Sequence, residues 1–555
     1  MPASRPRRFV LVDPCLTGLG SHPYHYAALV RGAAAAAGCD CLVVTHREFA
    51  AAPADWRVLP AFTHTAYSKY TLAGGLDRLD ARGRPPLLPE FPWTARHAAR
   101  RREERIAAFA REVAPALAGL EAGDVVLVAT ASELEAAGLA RAIAAARPPR
   151  GVGWHVQYHM PIEPAFAADG AGQAGRLAAA RATLAAATAA AAPHVIRHHA
   201  TTEELAAQYA RLVAGPVGTL PYPVQVAAGP ARDAAGPLRV ACLGDARPEK
   251  HSACLADVVA AAQRDADLRD RLRFAVQANV GFPPDSRRPE YRAVTRTLAA
   301  LARAAADGAP VELLAGPLDA ATYARELAAA DVVLLPYDQG RYRSRCSGVV
   351  LEALAAGAVP ILTGGGWMAR QLAAPLAHHA AAVAARGRPL ATRRIDGPRI
   401  GPRPLVVDLP ARTAADAGVV LVEIAWADGR LATPPVRVAL EGGGPRPPTV
   451  LAAGGPAAAV FPLPAAGAAG VRLEFTAACG AAAAEPSAIT IRDLAVTGPV
   501  PAAAVGLVIA APEDVPAALR EVVRHAAHYL ATAAAHATAV RDAANAAAVV
   551  RRLLA

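Results

Sequence analysis

Short apolar runs alternate with longer stretches of helical spacing along most of the chain. The runs at 8–12, 41–45, 125–130, 153–158 and 194–199 are read as strands, the first three Val- and Leu-rich as befits burial in a parallel sheet. Between them the spacing predicts helices over about 22–37, 94–113, 132–146 and 176–192. A further helix follows Thr201, whose hydroxyl with Glu204 reads as a capping box. Residues 56–80 read as irregular and 82–93 as a proline-rich loop, and four prolines in nineteen residues mark 219–237 as a linker. The rhythm then restarts with strands at 239–243, 273–277, 311–314, 331–336 and 358–362, and helices from 252, over 316–330 and over 347–356. After Arg370 it stops. Residues 374–401 are dominated by alanine, arginine and proline. β-type runs follow at 404–409, 419–426, 435–440, 460–463, 471–476 and 489–496, many separated by Gly/Pro-rich turns, the signature of a β-sandwich. A strand at 506–509, a Pro-Glu-Asp turn and a helical end over 517–555 resume the earlier style.

The fold class that follows is α/β: two Rossmann-like domains facing across a cleft, plus an inserted all-β sandwich-like domain. The boundaries are 1–222 for the first domain, 223–388 with 502–535 for the second, and 389–501 for the insert. Ligands of such sheets gather where strands end and helices begin, between the two units.

The candidate chemistry sits on those loops. After the strand at 331–336 come Arg341, Arg343 and Arg345 among Tyr337 and Tyr342, then Ser347 as a helix cap and Gly357 as its stop. Cations beside a helix N-terminus, whose free N–H groups and dipole favour negative charge, make a pocket for a phosphorylated ligand. The first strand is followed by Gly18-Leu-Gly20, with His22, Tyr24 and His25 at the start of the next helix; a lone Gly-x-Gly is a weak phosphate signal and fits an ordinary turn as well. His155 and His159 near the end of the strand at 153–158 have the spacing of metal ligands but neither the helix nor the third ligand, so they read as structural histidines or as acceptor contacts in the cleft.

The segment SGVVLEALAAGAVPILT, 347–363, resembles the donor-binding helix of GT-B glycosyltransferases, the glycogen-synthase-like group of retaining enzymes. The resemblance implies that Glu352 holds the ribose hydroxyls of a nucleotide-sugar, and the Ala-Ala-Gly-x-x-Pro turn at 355–360 matches too. The group usually carries a second Glu eight positions earlier, beside the transferred sugar; here that residue is Ser344, so the contact falls to Arg343, Arg345 or Ser347, or transfer is absent. The loop GDARPEK is similar to the group's diphosphate-gripping Gly-Arg-x-x-x-x-Lys. Gly244 and Lys250 match, Asp245 stands where the arginine belongs, and Arg247 is the replacement cation. An acid beside a diphosphate is repulsive unless it is paired or turned away.

The resemblance thus implies a retaining, metal-independent glycosyltransferase moving a sugar from a nucleotide-sugar donor to a glycan or lipid-linked acceptor. Catalysis would rest on Lys250, Arg247 and Glu352. Gly244, Arg343, Ser344, Arg345, Ser347, Gly348, Val349 and Glu352 would bind the donor, and Gly18, Gly20, His22, His155 and His159 would line the acceptor side. It also implies that the last helix, 536–555, packs back on the first domain. No cofactor is expected beyond the donor, which is a substrate. The rivals are a non-catalytic nucleotide-sugar or glycan-binding protein on the same scaffold, favoured by Ser344 and Asp245, and a nucleotide-sugar epimerase, which needs an acid/base pair that the sequence does not display.

Composition adds little. At 555 residues the chain can form two or three full cores, and its net charge of +11 suits anionic nucleotide-sugars and admits peripheral contact with an anionic membrane. No finger, RNP or basic-helix pattern supports a nucleic-acid partner. Seven scattered cysteines without metal spacing fit free thiols in a reducing compartment, and the N-terminus lacks a signal-peptide apolar core, so a cytoplasmic location, at most at the inner membrane face, is expected.

Overall fold

The computed structural model describes residues 5–19, 22–50, 52–66, 92–162, 170–226, 229–230, 232–281, 288–409, 418–427, 431, 433–441, 447–463 and 471–555. Gly20, together with the aromatic loop beyond Ala66 and Glu163, lies outside them.

The first sheet contains β1 (Arg8–Asp13), β2 (Asp40–His46), β3 (Val58–Phe62), β4 (Val125–Ala131), β5 (Gly153–Tyr158), β6 (Ile196–Ala200) and β7 (Val217–Thr219), all parallel, in the order β3-β2-β1-β4-β5-β6-β7. The sequence reading missed β3 as irregular. It holds Pro60, which has no N–H to donate, and survives as a strand because it is at the sheet's edge.

The second round supplies β8 (Leu238–Cys242), β9 (Leu272–Gln277), β10 (Val311–Leu314), β11 (Val332–Leu335) and β12 (Val359–Thr363). The chain then leaves through the helix Ala373–Arg386 into eight antiparallel strands: β13 (Arg388–Asp396), β14 (Leu405–Asp408), β15 (Gly418–Ala425), β16 (Val436–Glu441), β17 (Thr449–Leu451), β18 (Ala458–Leu463), β19 (Arg472–Ala477) and β20 (Ala488–Ala495). It returns as β21 (Leu507–Ile509), which pairs in parallel with β12 and completes a six-stranded sheet, β10-β9-β8-β11-β12-β21.

Counted within itself, each parallel sheet runs 3-2-1-4-5-6, the first with one strand more. That is the doubly wound order, and its strand sequence reverses between β1 and β4 and between β8 and β11. The crevice at each reversal lies outside the carboxyl ends of those strands, so the loops after β1, β8 and β11 are the ones placed to meet a ligand.

The insert forms two four-stranded sheets, β13-β20-β15-β18 and β14-β19-β16-β17. Successive strands keep crossing between the sheets in the pattern of a jelly roll. Its interior is Val, Leu, Ile and Phe from alternate positions, among them Val420, Val422, Phe461, Leu473 and Phe475. The sequence reading missed β13 and β17: β13 is an arginine-rich edge strand exposed along most of its length, and β17 is only three residues long. The insert is anchored beside the second sheet, where Thr449 Oγ1 donates to Val508 O (2.8 Å) and Arg343 Nη2 donates to Leu431 O (2.8 Å).

The end of the chain forms the helices Val515–Arg524, Ala526–Ala543 and Ala546–Leu554 rather than one. Arg7 Nη1 donates to Leu554 O and Arg552 Nη1 to Thr219 O, so the last helix lies against the first domain. One continuous apolar cluster includes Phe9 and Tyr26 of the first domain, Tyr222 of the linker, Val349 of the second domain and Leu553 of this helix. Among the described residues no helix is long and apolar enough to cross a membrane.

Candidate functional site

The helix Gly348–Ala356 carries the strongest local signal. Every residue of it is buried except Glu352. A lone carboxylate on an otherwise buried helix is costly unless it is paired or serves a ligand. Tyr323 Oη donates to Glu352 Oε2 at 2.6 Å, and burial still pushes the carboxyl's pKa up. The helix stops at Gly357, which takes the left-handed φ of +75°.

At the other end, Ser347 is buried but its side chain makes no capping bond, contrary to the sequence reading. Among the described residues, the Gly348 and Val349 amides have no acceptor. These N–H groups head the helix dipole and stay free to meet an anion. The Val349 side chain is in the core, so only its backbone can take part. Gly348 is needed for space: a Cβ there would lie 2.9 Å from His22 Cε1, the first residue of the helix His22–Ala36 in the other domain. Tyr222 Oη donates to His22 O (2.9 Å) and holds that corner. Two helix N-termini, one from each domain, therefore meet here. Crowding by protein, then the charges of Lys250, His25 and Arg247, hold the His22 pKa down to about 4, so the ring is neutral at pH 7.

Lys250 and Arg247 come from the loop after β8. Gly244, at φ +88°, lets the Lys250 ammonium lie directly over it, where a Cβ would be 2.6 Å from Nζ. The ammonium also sits 5.6 Å from the centre of the Tyr337 ring. Burial, then Arg247, lowers its pKa to about 8. The acid at 245 is paired: Arg247 Nη2 donates to Asp245 Oδ2 (2.7 Å) and Asn279 Nδ2 to Asp245 Oδ1 (2.5 Å). Gln277 Nε2 donates to Asn279 Oδ1 (2.6 Å) and the Gly244 amide to Gln277 Oε1 (2.7 Å). Burial would raise the Asp245 pKa, but the bonds from Arg247 and Asn279 leave it below the ordinary carboxylate value. The loops after β8 and β11 are joined by Asp338 N donating to Glu249 O (2.9 Å).

The arginine loop divides. Arg343 is turned to the insert, as described, and its carbonyl accepts the Trp367 amide (2.8 Å); as a donor ligand it is corrected to a structural anchor. Ser344 is buried, and its carbonyl accepts Thr202 Oγ1 from the first domain at 2.7 Å. Arg345 keeps a buried Nε with no partner among the described residues, as does Arg247.

Thr202, not Thr201, is the cap of the helix Glu203–Tyr209, and Arg370 binds both Glu203 and Glu204 across the same interdomain seam. His159, at the cleft end of β5, bonds Ala129 O through Nε2 (2.7 Å). His155 is not a cleft residue. It is fully buried in the body of β5, paired with His199 (Nδ1 to Nε2, 2.9 Å), and burial takes its pKa to about 3. Gly18 lies on the loop after β1, near the cleft by topology. Sequence reasoning missed Gln277, Asn279, Tyr323 and Tyr222. The first two were detectable as polar residues at the end of an apolar strand in a parallel sheet.

A cavity of 390 Å³ opens at the other end of the first sheet, beside the amino ends of β1, β4, β5 and β6, lined by Arg7, Arg150, Arg197, Trp154 and Leu553 among others. The helices Glu133–Ala146, Gly170–Ala191 and Ala546–Leu554 end on that side, so their dipoles attract the arginines and oppose an anion. The cleft, where helices begin, is the better anion site. Among the described residues no group of three His, Cys, Asp or Glu could hold a metal ion.

No family model and no curated protein matches the sequence. Among solved structures the chain is similar to a sucrose-phosphate synthase from Thermosynechococcus elongatus, with 16% identity, 67% of this chain and 84% of that one covered, and a TM-score of 0.42. It is also similar to a UDP-forming trehalose-phosphate synthase from Burkholderia xenovorans, with 12% identity, 66% and 86% covered, and a TM-score of 0.43. An E. coli structure bound with UDP-2-fluoro glucose shows 11% identity, the same coverages and a TM-score of 0.42. At these identities the chemistry has to be read from the cleft itself.

Proposed function

We propose that the protein is a glycosyltransferase that moves a sugar from a nucleotide-sugar donor to a glycan or lipid-linked acceptor, without a metal and with retention of configuration. One observation carries the reading. The free amides at Gly348 and Val349 begin a helix that lies against His22, the charges of Lys250 and Arg247 act on that same His22 ring, and Glu352 is one helical turn, about 6 Å, beyond Gly348. That spacing suits a diphosphate at the helix start and ribose hydroxyls at the carboxylate.

As the bond from the sugar C1 to the diphosphate oxygen breaks, negative charge grows on the leaving group. Preorganised cations and amides stabilise that charge. Each full charge held near 4 Å contributes on the order of 4 kcal/mol at a surface-like dielectric of about 20. His22, from the first domain, lies against Gly348 at the helix start as a neutral imidazole able to bond a ligand hydroxyl, and His159 follows the cleft end of β5. Arg345 takes the place at the transferred sugar that Ser344 leaves without a carboxylate.

The test is a panel of nucleotide-sugars, with and without a bacterial glycan-lipid extract, read as free nucleoside diphosphate. Release from one donor, lost in Glu352→Ala and Lys250→Ala, supports the reading and names the donor. Ser344 favours a second reading, a protein that binds nucleotide-sugars without transfer. Binding by calorimetry with no consumption under any acceptor condition would put that reading first.

A further inference from the structure

The loop after β8 presents a contradiction at residue level: an acid, Asp245, stands in a site built for an anion. Its surroundings resolve it. Both Asp245 oxygens are occupied, one by Arg247 and one by Asn279, and Asn279 is itself oriented by Gln277, whose other end is fixed by the Gly244 amide. Each side-chain amide in this chain donates through its nitrogen and accepts through its oxygen, so the direction of every bond is set and terminates on an ionised carboxylate. The two loops are also joined through their backbones, with Ala246 N donating to Asn279 O at 2.8 Å and a parallel bridge between Ala246 and Val280. Gly281 lies against the guanidinium, with a Cβ there only 2.5 Å from Arg247 Nε. Arg247 is thus held on one side by Asp245 and backed by Gly281, while its buried Nε has no partner among the described residues.

We propose that Asp245, oriented by Asn279 and Gln277, is a positioning residue that makes Arg247 the diphosphate-binding cation of the cleft. The inference rests on the nucleotide-sugar reading above. Its physical content is a trade. The carboxylate repels the ligand, but a long arginine otherwise spreads over many rotamers, and one hydrogen bond to Asp245 with Gly281 packed behind the guanidinium removes much of that disorder before the ligand arrives. Asp245 is then useful only while Arg247 is present, and Asn279 acts on the ligand only through them.

A double-mutant cycle read by calorimetry, with ADP, GDP, UDP and pyrophosphate as ligands, tests this. Arg247→Ala is expected to weaken binding by about tenfold or more, the worth of a charge-assisted hydrogen bond. Asn279→Ala carries no charge change and is expected to weaken binding about three- to tenfold in the wild-type background but not in the Arg247→Ala background. Asp245→Asn in the Arg247→Ala background is expected to tighten binding, because it removes a carboxylate that no longer has its partner. Asn279→Ser serves as the milder change if the alanine variant melts early. A purely structural role for Asn279 weakens binding equally in both backgrounds, and that result overturns the inference, as does Asp245→Asn failing to tighten binding in Arg247→Ala. If no ligand of the set binds the wild type, the nucleotide-sugar reading falls and this inference with it. Wild-type binding without the coupling removes this inference alone.

Discussion

Gly244→Ala puts the geometry of the Lys250 contact to a quantitative test. The added methyl would sit 2.6 Å from Lys250 Nζ, whereas ordinary contact begins near 3.4 Å, so the ammonium must retreat by roughly 1 Å. Because Nζ is the end of a flexible stem, the retreat itself is cheap. The larger folding cost comes from the backbone at φ +88°, about 1–2 kcal/mol for a residue with a Cβ. The functional cost is separate: a charge-assisted contact of about 1.5–3 kcal/mol is displaced, so nucleoside diphosphate affinity should fall by about 10- to 100-fold. Calorimetry on Gly244→Ala, Lys250→Ala and the double variant isolates the effect. Both single variants should weaken binding, and the double should bind no more weakly than Lys250→Ala, since the glycine matters through the lysine. A Gly244→Ala protein that melts a few degrees early yet binds with wild-type affinity would refute the argument that Lys250 Nζ over residue 244 is the ligand-bound position.

Glu352→Ala should weaken nucleoside diphosphate binding by about tenfold and leave pyrophosphate binding within about twofold, because the proposed function sets the carboxylate at ribose and not at phosphate; equal loss for both ligands would contradict the assignment. Lys250 has a folded pKa near 8 and an unfolded value near 10.5, so between those values the unfolded chain binds the extra proton and stability of the free protein rises with pH. Over the same window the charged lysine is depleted, and diphosphate affinity should drop by about tenfold from pH 7 to pH 9. Lys250→Met should flatten that profile; an unchanged slope in the variant would rule Lys250 out as its source. Glu135 accepts from buried Arg105 at 3.0 Å and from Ser132 N and Oγ as the partner in a capping box. Glu135→Ala leaves a buried guanidinium without its carboxylate and should cost about 3–5 kcal/mol in urea unfolding, against less than about 1 kcal/mol if the pair is merely decorative.

Much of the architecture follows from local rules. Uninterrupted apolar runs such as 125–130 and 358–362 can be stable only in the middle of a parallel sheet covered by helices, so two doubly wound sheets were legible from the pattern alone. Glu352 stood out through the resemblance of its helix and not through a local rule, and the structure leaves it as that helix's one residue that is not buried, bonded by Tyr323. The β-type runs of the insert were legible as strands, but their order was not. Pairing β13 with β20 closes a loop of about a hundred residues, and no local signal says which distant strand a given strand will meet.

The site residues divide along the same line. Lys250 and Gly244 are close in sequence, and the turn that stacks one on the other is a local matter. The Asp245 network is only half local: Arg247 is two residues away, but Asn279, and the Gln277 that orients it, come from the end of β9 and reach the loop only when β8 and β9 pair. His155 read as either a structural histidine or a cleft contact, and its place within β5, buried against His199, makes it the former. The amino-acid order by itself determined most of the buried strands, the approximate place of most helices between them, and that cations and acids lay at strand ends. Only the tertiary structure decided that two helix N-termini from different domains face each other, that Arg343 serves the jelly roll while Arg345 keeps a buried, unpartnered Nε, and that Asp245 is bonded by Arg247 on one oxygen and by Asn279 on the other. Contacts between segments far apart in the chain depend on how whole sheets dock, and no short-range pattern encodes that.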